Sequence, residues 1–273
     1  MRRTVAVTGA DSGIGLHTCA HLAEIGFDVI GVVASREGLE RLRTDLPCPA
    51  SRVEARVADL SDPQARAGLL AGTDVWALVN NAGYMNAGQV RDIPIEDARR
   101  QFETMVLAPV DLIQQVLPAM MARGQGRIVN VTSSAVHTST PLTGWYTAAK
   151  AALRELNDAL RVELRATGID VVDIEPGGYA TRIWERAGHE LAARRRLAYA
   201  PDLYDRALRL LGPAQKPMGH PRRVAEVIGD VLTTGDPPAH RRIGPGARWL
   251  LLADRVLPDK VWDAVVAGAT RTA

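Results

Sequence analysis

Cysteine is nearly absent from this chain. Cys19 and Cys48 are the only two in 273 residues. Cys19 falls on the apolar face of the first helical stretch, and Cys48 sits in a Pro-Cys-Pro turn. Two scattered thiols argue against both a disulfide framework and a zinc site, so no metal centre is expected. Long apolar runs are also missing. None approaches the roughly 20 residues that span a bilayer. Met1-Arg2-Arg3-Thr4 runs straight into an apolar strand pattern, so neither a signal peptide nor an integral membrane segment is expected, and the default compartment is the cytoplasm. Aromatics are sparse, at 4%, and do not interleave with the arginines, which disfavours a nucleic-acid partner. No repeat or low-complexity tract is visible.

What remains is a composition with enough apolar surface for a real core, 47% hydrophobic and 23% charged. The length suits one large α/β domain. Net charge is +2, unevenly spread. From Arg182 onward 16 Lys and Arg face 10 Asp and Glu, against 17 and 21 in the rest. A solvated arginine-rich surface explains this more simply than an acidic partner does.

Short apolar runs alternate with helical patterns from Thr4 to about Ile174. Strands are expected at Thr4–Thr8, Asp28–Val33, Arg52–Val57, Val75–Val79, Arg127–Thr132 and Asp170–Ile174. Helices are expected near 13–25, 36–45, 62–71, 95–122 and 145–167. Buried strands separated by helices predict a parallel, doubly wound sheet with helices on both faces and right-handed crossovers. The pattern becomes irregular over 182–216, where Trp184, Tyr199, Tyr204 and several leucines alternate with arginines. Placed after the sixth strand, this segment is expected to be a substrate lid rather than an ordinary helical pair completing the core. Pro217-Met218-Gly219-His220-Pro221 punctuates. A helix near 222–232, a short strand near Arg241–Ile243 and a helical extension over 245–273 follow, all within a single domain spanning 1–273.

Two motifs carry chemistry. Thr8-Gly9-Ala10-Asp11-Ser12-Gly13-Ile14-Gly15 stands between the first strand and the first helix. Glycines there let backbone approach a pyrophosphate, and the helix N-terminus offers free N–H groups. Far downstream, Tyr146 and Lys150 stand four residues apart on one helix face. An adjacent cation favours tyrosinate, which would make the phenol a usable acid or base near neutral pH. Cradle and tuned phenol together point to hydride chemistry on a carbonyl or alcohol.

With these motifs the chain resembles the short-chain dehydrogenase/reductase family over almost its whole length. Asp59-Leu60 matches the position where the family holds adenine. Asn80-Asn81-Ala82-Gly83 matches the motif that braces the sheet and lines the ribose. Pro176-Gly177 and Thr181 match the segment against the nicotinamide amide. The resemblance implies a Rossmann-type fold. It assigns Ser133, thirteen residues before the tyrosine, to the developing oxyanion. Tyr146 becomes the proton donor, and Lys150 binds the nicotinamide ribose and lowers the phenol pKa. The implied cofactor-binding set is Thr8, Gly9, Asp11, Ser12, Gly13, Ile14, Gly15, Ser35, Arg36, Asp59, Leu60, Asn81, Ala82, Gly83, Tyr146, Lys150, Pro176, Gly177 and Thr181.

Two positions modulate this reading. Relatives preferring NAD carry an Asp after the second strand, where this chain has Ser35-Arg36, a pair suited to a 2′-phosphate. The expected cofactor is therefore NADP(H). Met105 stands where most members carry the Asn of the proton relay, and a thioether offers no comparable hydrogen bond. The C-terminal end loosely resembles relatives acting on steroids or retinoids. The expected activity interconverts a ketone and a secondary alcohol on a bulky, mostly apolar molecule, steroid-like, retinoid-like or polyketide-derived. The alternatives are a non-catalytic dinucleotide-binding protein and an enzyme of the same fold performing epimerisation or elimination. The family's habit of pairing two long helices, here near 95–122 and 145–167, implies a homodimer.

Overall fold

The computed structural model describes residues 3–47, 50–138, 140–211, 218–244 and, near the C-terminus, 258, 260–262 and 264. Cys48, Pro217, the end of the expected lid and nearly all of the expected 245–273 extension lie outside the described residues.

Seven strands form one sheet: β1 (Thr4–Thr8), β2 (Asp28–Val33), β3 (Val53–Val57), β4 (Val75–Asn80), β5 (Gly126–Val131), β6 (Ile169–Pro176) and β7 (His240–Ile243). Their order is β3-β2-β1-β4-β5-β6-β7, and every neighbouring pair is parallel. This is the doubly wound, Rossmann-type sheet that the sequence implies. Each expected strand appears, with ends shifted by two residues at most. Val5, Ala6 and Val7 are wholly buried, as a central strand covered on both faces requires.

One face of the sheet is covered by α1 (Gly13–Glu24) and α9 (Arg222–Thr233), whose Cys19, Leu22, Val227 and Ile228 meet Val5, Val29 and Val129. α2 (Arg36–Asp45) reaches the same core through Leu42. The other face holds α4 (Ile95–Phe102), a π-helical turn at Glu103–Leu107 and α5 (Ala108–Arg123), which run on as one helix, and then α6 (Gly144–Glu163). Gly124, at φ 65°, ends α5 in the left-handed conformation. By length and composition Ile95–Arg123 would cross a membrane, its most apolar stretch having a mean hydropathy of 1.4. The helix expected near 95–122 has this length, whereas no apolar run near the roughly 20 residues that span a bilayer is expected from the sequence. Leu112, Ile113, Val116 and Met120 are buried in the second core, which is how a core helix of a folded domain packs.

The expected helix over 62–71 shrinks to α3 (Pro63–Arg66). Asp62 caps it through the Gln64 N–H, but Gly68 and Gly72 adopt φ of 69° and 72° and stop it. Arg66, buried at the end of α3, pairs with Glu103 and Asp111 and so ties this connection to the long helix.

The irregular segment forms α7 (Arg182–Arg195) and α8 (Pro201–Leu210). A third apolar cluster lies between them and the ends of the central strands. It comprises Met85, Ala87, Met105, Val106, Leu142, Tyr146, Ala149, Ala187, Leu191 and Tyr204. The Tyr204 hydroxyl donates to Asp92 and accepts from the Gln89 N–H, fixing α8 to the loop after β4.

Candidate active site

The carboxyl ends of the strands open into a cleft of about 970 Å³. It runs from Arg41 and Asp59 at one end to Tyr179, Trp184 and His189 at the other. Such a crevice is where open α/β sheets bind ligands.

The glycine turn forms one wall. Gly13 has φ 52°, and a Cβ there would meet Thr181 Cγ2 at 3.0 Å. A Cβ on Gly15 would lie 2.0 Å from the Gly9 carbonyl oxygen. Helix and turn therefore close on each other only with glycine at that position. Ser12, the N-cap of α1, makes no side-chain cap bond, and the first turn carries no acid. The early N–H groups keep their capacity for an anion, so the cradle fits a dinucleotide pyrophosphate. Gly9, Asp11, Ser12, Gly13 and Ile14 line the cleft, whereas Thr8 and Gly15 do not. Thr8 is buried and braces the wall from behind. Its hydroxyl accepts from the Asn81 and Ala82 N–H groups at 3.0 Å, and Asn81 Nδ2 donates to the Thr8 carbonyl.

Asp59, Leu60, Asn81, Ala82, Gly83, Pro176, Gly177 and Thr181 all line the cleft. Ser35 and Arg36 do not. Ser35 is occupied as the N-cap of α2, accepting from the Gly38 N–H at 3.2 Å, and Arg36 is exposed at the helix start. The guanidinium that lines this end of the cleft is Arg41, held by Asp11 at 2.5 Å. The visible signal for it was Asp11 itself: a carboxylate inside a phosphate-binding turn calls for a cation beside it.

Ser133, Tyr146 and Lys150 line the middle of the cleft. Ser133 caps the short 3-10 turn Ser134–His137, accepting from the Ala135 N–H at 3.1 Å. Tyr146 and Lys150 rise from the first two turns of α6, both buried. Lys150 Nζ donates to the Val131 carbonyl at 2.6 Å. The expected lowering of the phenol pKa is not found. Burial pushes the Tyr146 phenol up, opposed only by its hydrogen bond with Ser133. Lys150 is not among the groups acting on it; burial takes the ammonium down to about 8, against the pull of Asp173.

Met105 lies in the π-helical turn, fully buried. It does not line the cleft. Its Cγ and Sδ would lie 3.6 and 3.7 Å from a Cβ on Gly83, and Lys150 Nζ would lie 3.4 Å from that same point. The thioether thus packs beside the lysine. The far end of the cleft mixes Tyr84, Met85, Tyr179, Ile183 and Trp184 with Arg100, Arg182, Arg186 and His189. Arg186 stacks over the Tyr84 ring at 4.1 Å.

The family model described as short chain dehydrogenase matches residues 3–192. The chain belongs to the short-chain dehydrogenase/reductase family and is an oxidoreductase of that family. Among its relatives is a Bacillus subtilis (strain 168) protein named uncharacterized oxidoreductase YusZ, 30% identical, with 97% of each chain covered. Another is an NADPH-dependent 3-dehydrocapnine reductase of Ornithobacterium rhinotracheale, 33% identical over 68% of each chain. Among solved structures, an actinorhodin polyketide ketoreductase with NADPH superposes with a TM-score of 0.75 at 26% identity, covering 90% of this chain and 97% of that one.

Proposed function

We propose that this protein is an NADP(H)-dependent oxidoreductase interconverting a ketone and a secondary alcohol on a bulky, mostly apolar small molecule. The observation that carries the reading is the meeting of Ser133, Tyr146 and Lys150 in one cleft with an uncapped helix N-terminus. When bound, the nicotinamide supplies or accepts the hydride. Ser133 donates a hydrogen bond to the substrate oxygen as negative charge develops there. In the reducing direction Tyr146 holds the proton that this oxygen takes up, and its raised pKa keeps it protonated until then. Lys150 holds the ribose beside them.

Arg41 supports the cofactor preference. It lines the same end of the cleft as Asp59 and offers a cation suited to a 2′-phosphate, and the only carboxylates lining the cleft among the described residues are Asp11, Asp59 and Glu185. Asp11 is already paired with Arg41. The names of the reductase and ketoreductase relatives point the same way. For the substrate, Met85, Tyr179, Ile183 and Trp184 suit an apolar body, with arginines at the rim. α7 lines the cleft and is read as part of the lid. Leu107 and Met121 on the long helix and Leu156 and Val162 on α6 are exposed, which supports homodimer formation through these helices. A cytoplasmic location fits this soluble-enzyme reading.

Met105 favours one second reading, a dinucleotide-binding protein without turnover. Incubation with NADPH and a panel of bulky ketones, followed by loss of NADPH absorbance, decides between them. Turnover on none of the panel would overturn the reductase reading. Product mass separates it from epimerisation or elimination without net redox change.

A further inference from the structure

The inward face of α6 does not end with the lysine. Tyr146 and Lys150 continue at helical spacing as Arg154, Asn157 and Asp158. Beneath them the strand register sets Asn80, Asn130, Asp173 and His240 side by side across β4, β5, β6 and β7. Side chains join this row to the helix. Asn80 Nδ2 donates to Asn130 at 2.8 Å, and Asn130 Nδ2 donates to Asn157 at 2.7 Å. His240 Nε2 lies 3.1 Å from Asp158. Most of the rest of the sheet's buried surface is valine, isoleucine, leucine and alanine. A buried polar layer costs stability unless it is paired, so its place behind the lysine calls for a role.

Asp173 stands at the centre, wholly buried. Thr132 Oγ1 donates to its Oδ1 at 2.6 Å. Its Oδ2, Glu175 Oε1 and His240 Nδ1 lack hydrogen-bond partners and face one another, His240 Nδ1 lying 3.4 Å from Asp173 and 3.5 Å from Glu175. Lys150 bonds Val131 at the end of β5 and Asp173 is bonded by the next residue, Thr132, so adjacent backbone positions hold the ammonium and the carboxylate. Near Gly83 the Met105 thioether approaches the same point as the Lys150 ammonium and offers it no comparable hydrogen bond.

We propose that Asp173 is the positioning residue of Lys150. Oriented by Thr132 and His240, its carboxylate supplies the counter-charge that keeps the ammonium protonated, in place of polar support from the Met105 side. The consequence for turnover rests on the oxidoreductase reading above; the electrostatic link itself does not. The charged and titratable groups acting on Asp173 are Lys150 from α6, Glu175 from β6 and His240 from β7; one step further out, Arg154 from α6, Arg242 from β7 and His137 from the turn after β5 pair with Glu175, and Asp158 from α6 lies against His240. Arg154, Arg242 and His137 are engaged with Glu175, which leaves Asp173 to Lys150 and His240. Asp173, Glu175 and His240 also come close enough together to hold a metal ion. The two arginines and the lysine around them oppose that use.

The test reads the lysine directly. Lys150 is one of three lysines, with Lys216 and Lys260, so acylation by trace acetic anhydride is assigned to it from a single peptide. Only the neutral amine reacts. Rate against pH, measured without cofactor, should give a midpoint near 8 in the parent. In Asp173→Asn the midpoint should fall by about one pH unit, making the reactive neutral fraction of Lys150 about fivefold larger at pH 7. Asp173→Ser removes the same charge with a smaller side chain and carries the test if the Asn variant fails to fold. On an accepted ketone, the alkaline limb of the kcat profile should move down by the same amount, whereas a merely structural role would lower kcat equally at every pH. Unchanged acylation midpoints overturn the proposal whatever the activity. Shifted midpoints in a protein that reduces no ketone uphold it and reject the reductase reading instead. Tight Zn2+ binding lost in Asp173→Asn, with no change in lysine reactivity, would establish a metal site and overturn the counter-charge.

Discussion

The two ends of the cleft are built from different parts of the chain's chemistry. At the dinucleotide end the wall is largely backbone: Gly9, Gly13 and the uncapped start of α1, closed so tightly that a Cβ on Gly15 behind it would strike a carbonyl. At the substrate end it is side chain: Tyr84, Tyr179, Trp184, Arg100, Arg182 and Arg186, carried by loops and α7. Backbone contacts tolerate few residue types at fixed spacing, so the same turn can serve many enzymes. Side chains on a lid can change one at a time, so that end differs between enzymes. Tyr146 and Lys150 stand where the two meet, buried like the first and polar like the second. Substitutions at the junction should abolish turnover, and those at the dinucleotide end should weaken affinity.

Tyr146→Phe should produce the largest effect. The phenol is the proposed proton donor and adds little to dinucleotide binding. Loss of general acid catalysis is worth about a hundred- to ten-thousand-fold in rate. Cofactor affinity, read by fluorescence titration, should stay within a few-fold. A Phe variant retaining more than about a tenth of parent activity would remove Tyr146 from the role. Lys150→Ala should damage both quantities, which sets it apart from Tyr146 and places it across both ends.

Arg41→Ala tests the dinucleotide end alone. A charge-assisted phosphate contact contributes about 1.5–3 kcal/mol. NADPH affinity should therefore fall by about ten- to a hundred-fold, while NADH affinity barely changes. Arg36→Ala should have the smaller effect, because that side chain is exposed and does not line the cleft. Equal affinities for NADPH and NADH in the parent protein would reject the preference. A larger loss at Arg36 than at Arg41 would return the phosphate contact to the start of α2.

These contrasts follow what the sequence makes legible. The strands were readable because each is a short apolar run, and β1 and β2 match their expected residues at both ends. The helix over 62–71 was not, since apolar periodicity there is overridden by glycines at positive φ. Motifs identify Ser133, Tyr146 and Lys150 because their spacing is local or counted from one another. Arg41 was missed because reaching the cleft depends on which way α2 faces, a matter of tertiary packing. Thr8 and Gly15, assigned to the cofactor by the motif, do not line the cleft, and Thr8 braces its wall, because a motif does not tell contact from support. The pKa of Tyr146 was misjudged for a related reason. Helical spacing places the lysine near, but burial and the Val131 carbonyl decide what its charge does. Asp173 could not be chosen from sequence, since only strand register brings it under α6.

Met105→Asn should have the smallest effect on maximum rate. Met105 lies outside the cleft and contacts neither end directly, so cofactor affinity should be preserved. Its place in the π-helical turn near Lys150 means that an amide there would add polar support that the thioether does not give. That support favours the charged ammonium, so the alkaline limb of the pH–rate profile should move up from about 8 while the plateau stays nearly constant. The substitution also puts an amide into the apolar cluster shared with Met85, Val106 and Ala149. An unsatisfied buried group costs about 1–3 kcal/mol, which chemical denaturation would register. Stability decides the reading of a null result. If Met105→Asn is destabilised and its pH profile superimposes on the parent's, the position is packing alone and Lys150 takes its support from the sheet. If the Asn variant is active where the parent is not, the natural protein binds a dinucleotide without turning it over.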